Sequence, residues 1–134
     1  MLNALPLDAN GSVTMGFGVS SGTGTNNNLA VGINCINSSS TGNETICFAK
    51  DSLTTANSGN QNIVLGLRVL QACSSGFKNL GYGIDVMPLL TSGSNNIGIG
   101  VNVMDNTTTA TNNICIGVDA MRDNTVGSET VSIG

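Results

Sequence analysis

The stretch NNIGIGVNVMDNTTTATNNICIGVDAM, residues 95–121, contains one phrase twice: NNIGIGV at 95–101 returns as NNICIGV at 112–118, 17 residues on. Working outward, the glycine near the end of the phrase stands at Gly66, Gly83, Gly100 and Gly117 and continues to Gly134. Backward, the same position is Ala49, then Gly32 and, with one deletion, Gly16. Landmarks in arithmetic progression do not arise from composition. A fixed period of this length is the sequence signature of a solenoid, in which each unit buries its apolar face against the next.

The columns around the landmark repeat with it. Three residues before it stand Val13, Leu29, Ile46, Ile63, Leu80, Ile97, Ile114 and Val131. One before it stand Met15, Val31, Phe48, Leu65, Tyr82, Ile99, Ile116 and Ile133. One after it stand Phe17, Ile33, Lys50, Leu67, Ile84, Val101 and Val118, and three after it Val19, Cys35, Ser52, Val69, Val86, Val103 and Ala120. Apolar positions at period 2 predict a strand with one buried face, so these columns, above all from Ile63 to Val118, are the expected core ladder. Each unit then closes on pairs such as Thr41-Gly42, Ser58-Gly59, Ser75-Gly76 and Ser92-Gly93, and an Asn opens the next strand at Asn28, Asn62, Asn79, Asn96 and Asn113. These residues suit sharp corners. The Asn column has two readings, turn propensity alone or an amide ladder along the axis.

The expected fold is all-β, a parallel β-solenoid (β-roll or β-helix) of about eight 17-residue rungs over residues 12–134, with residues 1–11 as an N-terminal lead-in or cap. At one rung per strand spacing the rod is roughly 40 Å long. Two columns have the opposite parity. Two residues before the landmark stand small ones, including Val64, Gly81, Gly98 and Cys115; four after it stand large ones, including Leu70, Met87, Met104 and Met121. On straight strands both columns face outward, and an apolar stripe of that length exceeds what a soluble monomer usually exposes. They are the candidate oligomer interface, small residues of one chain receiving large ones of the next. Such a heterologous contact closes a ring, of which three chains form the smallest. The other reading is a bend after the landmark that turns the Leu/Met column inward.

Composition narrows function. Four basic residues and a net charge of −4 give no cationic footprint for nucleic acid. No apolar run approaches the roughly 18 residues of a spanning helix, so membrane insertion is not expected, and no signal peptide is recognisable. The absence of His excludes Ser-His-Asp and Cys-His catalysis, and no enzyme activity, cofactor or metal is expected. Asp51, Asp85 and Asp119 share a column with Asn34, Arg68 and Asn102 between them. Two rungs, about 10 Å, separate the carboxylates, which suits charge balance on a solvated face better than a calcium or glycan site. GFGVSSG (16–22) resembles a phosphate loop only superficially, because no helix follows. Cys47 and Cys115 lie four rungs apart and Cys35 and Cys73 in other columns, so intrachain disulfides and zinc are not expected. Free thiols point to folding in a reducing compartment. Sequons at Asn10, Asn37, Asn43 and Asn106 matter only in a secretory pathway.

The 95–121 stretch resembles the N-x-A-I-G-x-x-A-L-x-x-x-T-x-G units of viral and phage fibre proteins. It is also similar to the N-S-V-A-I-G head repeats of trimeric autotransporter adhesins. The resemblance runs from about Ser12 to Gly134. It implies a trimeric parallel β-roll or β-helix used for attachment or as a shaft, and brings no catalytic residues. The unit here is longer than in the adhesin heads, the chain has four cysteines, and the sequence shows no neck, coiled-coil stalk or membrane anchor.

The expected function is a structural or adhesive rod: a virion fibre, spike or capsid-associated protein assembling as a trimer, at a virion surface or extracellular, with a host receptor or glycan as a partner. The alternative is an extracellular filament subunit stacking end to end. Ice binding ranks below both, because Thr107, Thr108 and Thr109 do not recur at the period.

Overall fold

The computed structural model describes residues 13–17, 27–55 and 57–134. The expected lead-in over 1–11, the Asn10 sequon, and Gly18 to Gly22 of the glycine-rich stretch lie outside them. Eight strands follow in order: β1 (Val13–Phe17), β2 (Leu29–Cys35), β3 (Ile46–Ser52), β4 (Ile63–Leu67), β5 (Leu80–Ile84), β6 (Ile97–Val101), β7 (Ile114–Val118) and β8 (Val131–Ile133). They form one parallel sheet in sequence order. Ile63 pairs with Leu80, Leu80 with Ile97 and Ile97 with Ile114, so the repeat is the register. The chain is an all-β parallel β-solenoid. Six turns of 17 residues run from Leu29 to Val131, against the eight full rungs expected, and Val13 pairs with Leu29 one residue short of the period.

Strands β2 to β7 each end at a corner built from left-handed backbone. Two residues after the landmark, Asn34, Asp51, Arg68, Asp85, Asn102 and Asp119 all have φ between 50 and 58°. Two further on, Ile36, Leu53, Leu70, Met87, Met104 and Met121 do too, with φ between 50 and 61°. Asn and Asp tolerate this conformation; Leu and Met do not favour it, and burial holds them there. At the landmark itself φ is 130° at Gly66 and 139° at Gly83, and a Cβ on Gly66 would sit 1.9 Å from the Gly83 carbonyl oxygen. Glycine is required there for both reasons.

These corners overturn the expected core. The ladder of Ile63, Leu65, Leu67, Leu80, Tyr82, Ile84, Ile97, Ile99, Val101, Ile114, Ile116 and Val118 faces out of the coil, half-buried or exposed, with Tyr82 at 57% and Val118 at 62%. Of the four expected core columns, the one three after the landmark is buried, as at Val69, Val86 and Val103. The bend at the preceding residue turns it inward. The expected interface columns are interior. Val64, Cys115, Leu70, Met87 and Met104 are fully buried, Gly81 and Gly98 are buried, and Met121 packs on the same cluster partly buried. Small does receive large, but within one chain. A Cβ on Gly98 would lie 2.7 Å from Val86 Cγ1 and 3.1 Å from Met87 Cε, and one on Gly81 2.3 Å from Val69 Cγ1. A coil this narrow has no room for a large side chain in both columns.

The opposite corner holds the amide ladder. Asn62, Asn79, Asn96 and Asn113 are buried. The Asn79 Oδ1 accepts from the backbone N–H and the Nδ2 of Asn96 at 3.1 and 3.0 Å. The Asn96 Oδ1 accepts the same pair from Asn113 at 3.1 and 3.0 Å. Each Nδ2 also donates to a corner carbonyl: Asn79 to Gly93 at 2.8 Å and Asn96 to Ala110 at 2.8 Å. The ladder satisfies polar backbone that the coil would otherwise bury unpaired.

The cysteine expectation fails at one pair. Cys35 and Cys47 form a disulfide across a 12-residue separation with Cα atoms 6.4 Å apart. They belong to different columns, but both columns point inward, and one ends a rung close to where the other begins the next. Cys73 and Cys115 are free and buried.

Candidate assembly face

The outward columns make a continuous apolar sheet face across the eight strands. By strand spacing and rise it spans about 34 Å by about 16 Å, or about 550 Å² in projection. Corrugation makes its accessible area larger. Its members include Ile63 and Ile114 at 39%, Ile84 at 43% and Ile116 at 38% exposure. Lys50 replaces an apolar residue in the column after the landmark, and its Nζ lies 4.0 Å from Asp51.

Polar columns border the face on both sides. At the C-terminal ends of the strands, Asn34 Nδ2 donates to Asp51 Oδ1 at 2.7 Å and Asn102 Nδ2 to Asp119 Oδ1 at 2.9 Å. Between them Arg68 grips Asp85 through Nε at 2.6 Å and Nη2 at 2.5 Å. The hydrogen bond to Asp85, then its charge, raises the Arg68 pKa further above its already high ordinary value. This is the charge-balanced column expected from the alternation, and every carboxylate in it has a donor. Among the described residues no group of three or more Cys, Asp or Glu could hold a metal ion.

At the N-terminal ends stand Glu44, Gln61, Lys78, Asn95, Asn112 and Glu129, with φ between 56 and 61°. Gln61 Nε2 donates to Glu44 Oε2 at 2.7 Å and Asn95 Nδ2 to Asn112 Oδ1 at 3.2 Å. Lys78 is exposed and makes no ion pair among the described residues.

Other expected features sit away from this face. Asn37 and Asn106, two of the sequon residues, donate their amides to Thr54 and Asp123, and the Asn43 Oδ1 is buried without a partner. The Ser and Thr of the unit-closing pairs stack into a hydroxyl column, which corrects the expectation that Thr109 has no counterpart at the period. Thr109 recurs at the period as Ser92, Ser75, Ser58 and Thr41, all exposed, while the neighbouring Thr91 turns its hydroxyl onto the Thr108 carbonyl at 3.0 Å. Lined by Asn28, Ser40, Thr45, Asn57 and Leu53 among others, an internal space has room for one water. No model of a known protein family, no curated protein and no solved structure matches this chain.

Proposed function

We propose that the chain is the structural or adhesive rod of a fibre, spike or capsid-associated assembly, built from three copies that bury the apolar sheet face around a common axis. The observation that carries this is the outward ladder from Ile63 to Val118. A soluble monomer rarely exposes more than about 300–600 Å² of contiguous apolar surface, and the accessible area of this face exceeds its projection. Two faces in contact bury about 1,100 Å² in projection, which meets the roughly 1,000 Å² a specific interface needs. Three flat faces about 16 Å wide enclose a triangular core with each sheet about 5 Å from the axis, half the spacing of packed sheets. Extended length, satisfied polar ladders and a buried disulfide suit a load-bearing shaft. The disulfide favours an extracellular or virion-surface setting over the reducing one that free thiols would suggest. The exposed Ser/Thr column offers hydroxyls to a receptor or glycan.

Sedimentation equilibrium combined with electron micrographs tests the reading. A mass of about three 13.5 kDa chains with rods of one length supports it. A monomer at all concentrations overturns it, and fibres of unlimited length replace it with end-to-end stacking.

A further inference from the structure

The amide ladder is interrupted at one rung. From Asn28 to Asn113 its column carries asparagine at every rung but one, where Thr45 stands. Thr45 is buried like its neighbours in the column. At the other rungs the amide does two things. Its Nδ2 donates to the corner carbonyl 14 residues on, from Asn28 to Gly42 and from Asn62 to Gly76 at 2.9 Å each, and likewise from Asn79, Asn96 and Asn113. Its Oδ1 accepts the backbone N–H of the next rung, as Asn28 does from Thr45 at 2.8 Å and Asn62 from Asn79 at 3.0 Å.

A threonine side chain ends one bond earlier and carries a single hydroxyl in place of a separate donor and acceptor. The Thr45 hydroxyl turns back to the Asn43 carbonyl at 3.5 Å. Among the described residues no donor reaches the Gly59 carbonyl, 14 residues on from Thr45, and the Asn62 N–H has no acceptor. Gly59 is buried and Asn62 fully so. A buried backbone group without a partner is uncommon, and where protein supplies none, ordered water does.

The water-sized internal space lies at this rung. Thr45 and Gly59 line it, together with Ser40, Asn57 and Asn28. Ser40 accepts the Asn57 backbone N–H on its Oγ at 3.1 Å, and among the described residues its own hydroxyl hydrogen has no acceptor. A carbonyl that lacks a donor and a hydroxyl that lacks an acceptor thus border one space, which is the polar lining a buried water needs. No carboxylate lines it, so a cation would be buried there without a counter-charge.

We propose that one ordered water completes the ladder at Thr45, donating to the Gly59 carbonyl in place of the missing amide and accepting from the Ser40 hydroxyl. A bridge of this kind is nearly as favourable as a direct hydrogen bond. The site lies inside the coil and is indifferent to how copies assemble.

Oxygen-17 magnetic relaxation dispersion counts waters held inside a folded protein for longer than it takes to tumble. It is run on the full chain, on Thr45→Asn and on Thr45→Ser, each checked for native circular dichroism. Thr45→Asn puts an amide where the water sits, as at the neighbouring rungs, and is expected to hold one long-lived water fewer than the unaltered chain. Thr45→Ser keeps the hydroxyl and the space, and is expected to lose none. Equal counts for the unaltered chain and Thr45→Asn overturn the inference. So does a Thr45→Asn chain that fails to fold, since the rung would then lack the room that the other rungs give an amide. A loss in Thr45→Ser equal to that in Thr45→Asn overturns it too, because the water would then depend on the threonine methyl and not on the missing amide.

Discussion

Replacing Asn96 by alanine removes one step of the buried ladder, and the geometry fixes what is left behind. The Ala110 carbonyl loses the donor at 2.8 Å, and the Asn113 backbone N–H and one of its amide hydrogens lose their shared acceptor at 3.1 and 3.0 Å. The Asn79 Oδ1 keeps the Asn96 backbone N–H, which the substitution does not touch. Three groups are therefore stranded beside side chains that are fully buried. At about 1–3 kcal/mol for each unsatisfied group, with the lower values applying where water enters the gap, the loss is about 4 kcal/mol. That is a large share of the total stability of about 5–15 kcal/mol expected for a domain. The matched control is Asn106→Ala, which breaks an exposed amide–carboxylate contact to Asp123 and should cost no more than about 0.5 kcal/mol. Urea titration followed by circular dichroism reads both, with the slope m compared to confirm that the same surface unfolds. If Asn96→Ala falls within about 1 kcal/mol of Asn106→Ala, the ladder does not support the fold and the stranded groups do not carry the loss assigned to them.

Further consequences follow from the interior. Gly98→Ala should destabilise by about 1–3 kcal/mol by overpacking against Val86, and Val86→Ala in the same chain should recover part of that, a coupling a double-mutant cycle measures; strict additivity would contradict the packing. The Cys35→Ser, Cys47→Ser double variant should lose about 3 kcal/mol, the loop-closure value for a 12-residue separation, read by urea midpoint against oxidised protein. Burial pushes the Cys73 thiol from its ordinary 9.0 up to about 11. A folded-state pKa above the unfolded one means stability is fully present below pH 9 and is lost as pH rises towards 11. Cys73→Ala should remove about 2–3 kcal/mol of that alkaline decline relative to the unaltered chain; an unchanged slope would contradict the burial.

The period was legible in the sequence because the landmark is glycine in all but one strand: φ near 139° at Gly83 and Gly100 strongly favours glycine, and Ala49 takes the position only in β3, where the backbone is not in that region. Strand register and the Asn ladder follow from the same spacing. The face was not legible. Ile63, Leu80, Ile97 and Ile114 outrank Val64, Gly81, Gly98 and Cys115 in hydrophobicity, and a strand apolar on both sides does not say which side is inside. What decides it is corner geometry. The Asn and Asp at 34, 51, 85, 102 and 119 hint at left-handed backbone, but Leu70 and Met87 at φ near 50° give no such hint, since their conformation is imposed by packing. The disulfide was hidden for the same cause: Cys35 and Cys47 look distant until the bend turns both columns inward.

Which side of the strand is interior can be measured on two neighbouring residues of β7. Cys115 is buried in the native chain, and Ile116 beside it points outward at 38% exposure. Mass-spectrometric mapping of a small alkylating reagent on folded protein, with Ile116→Cys as the companion, reads the two sides separately at dilutions where the chain is monomeric. Cys115 should stay unmodified until the protein is unfolded while the thiol at 116 reacts. Modification of Cys115 in the folded chain with position 116 protected would mean that the interior is the other face of the sheet.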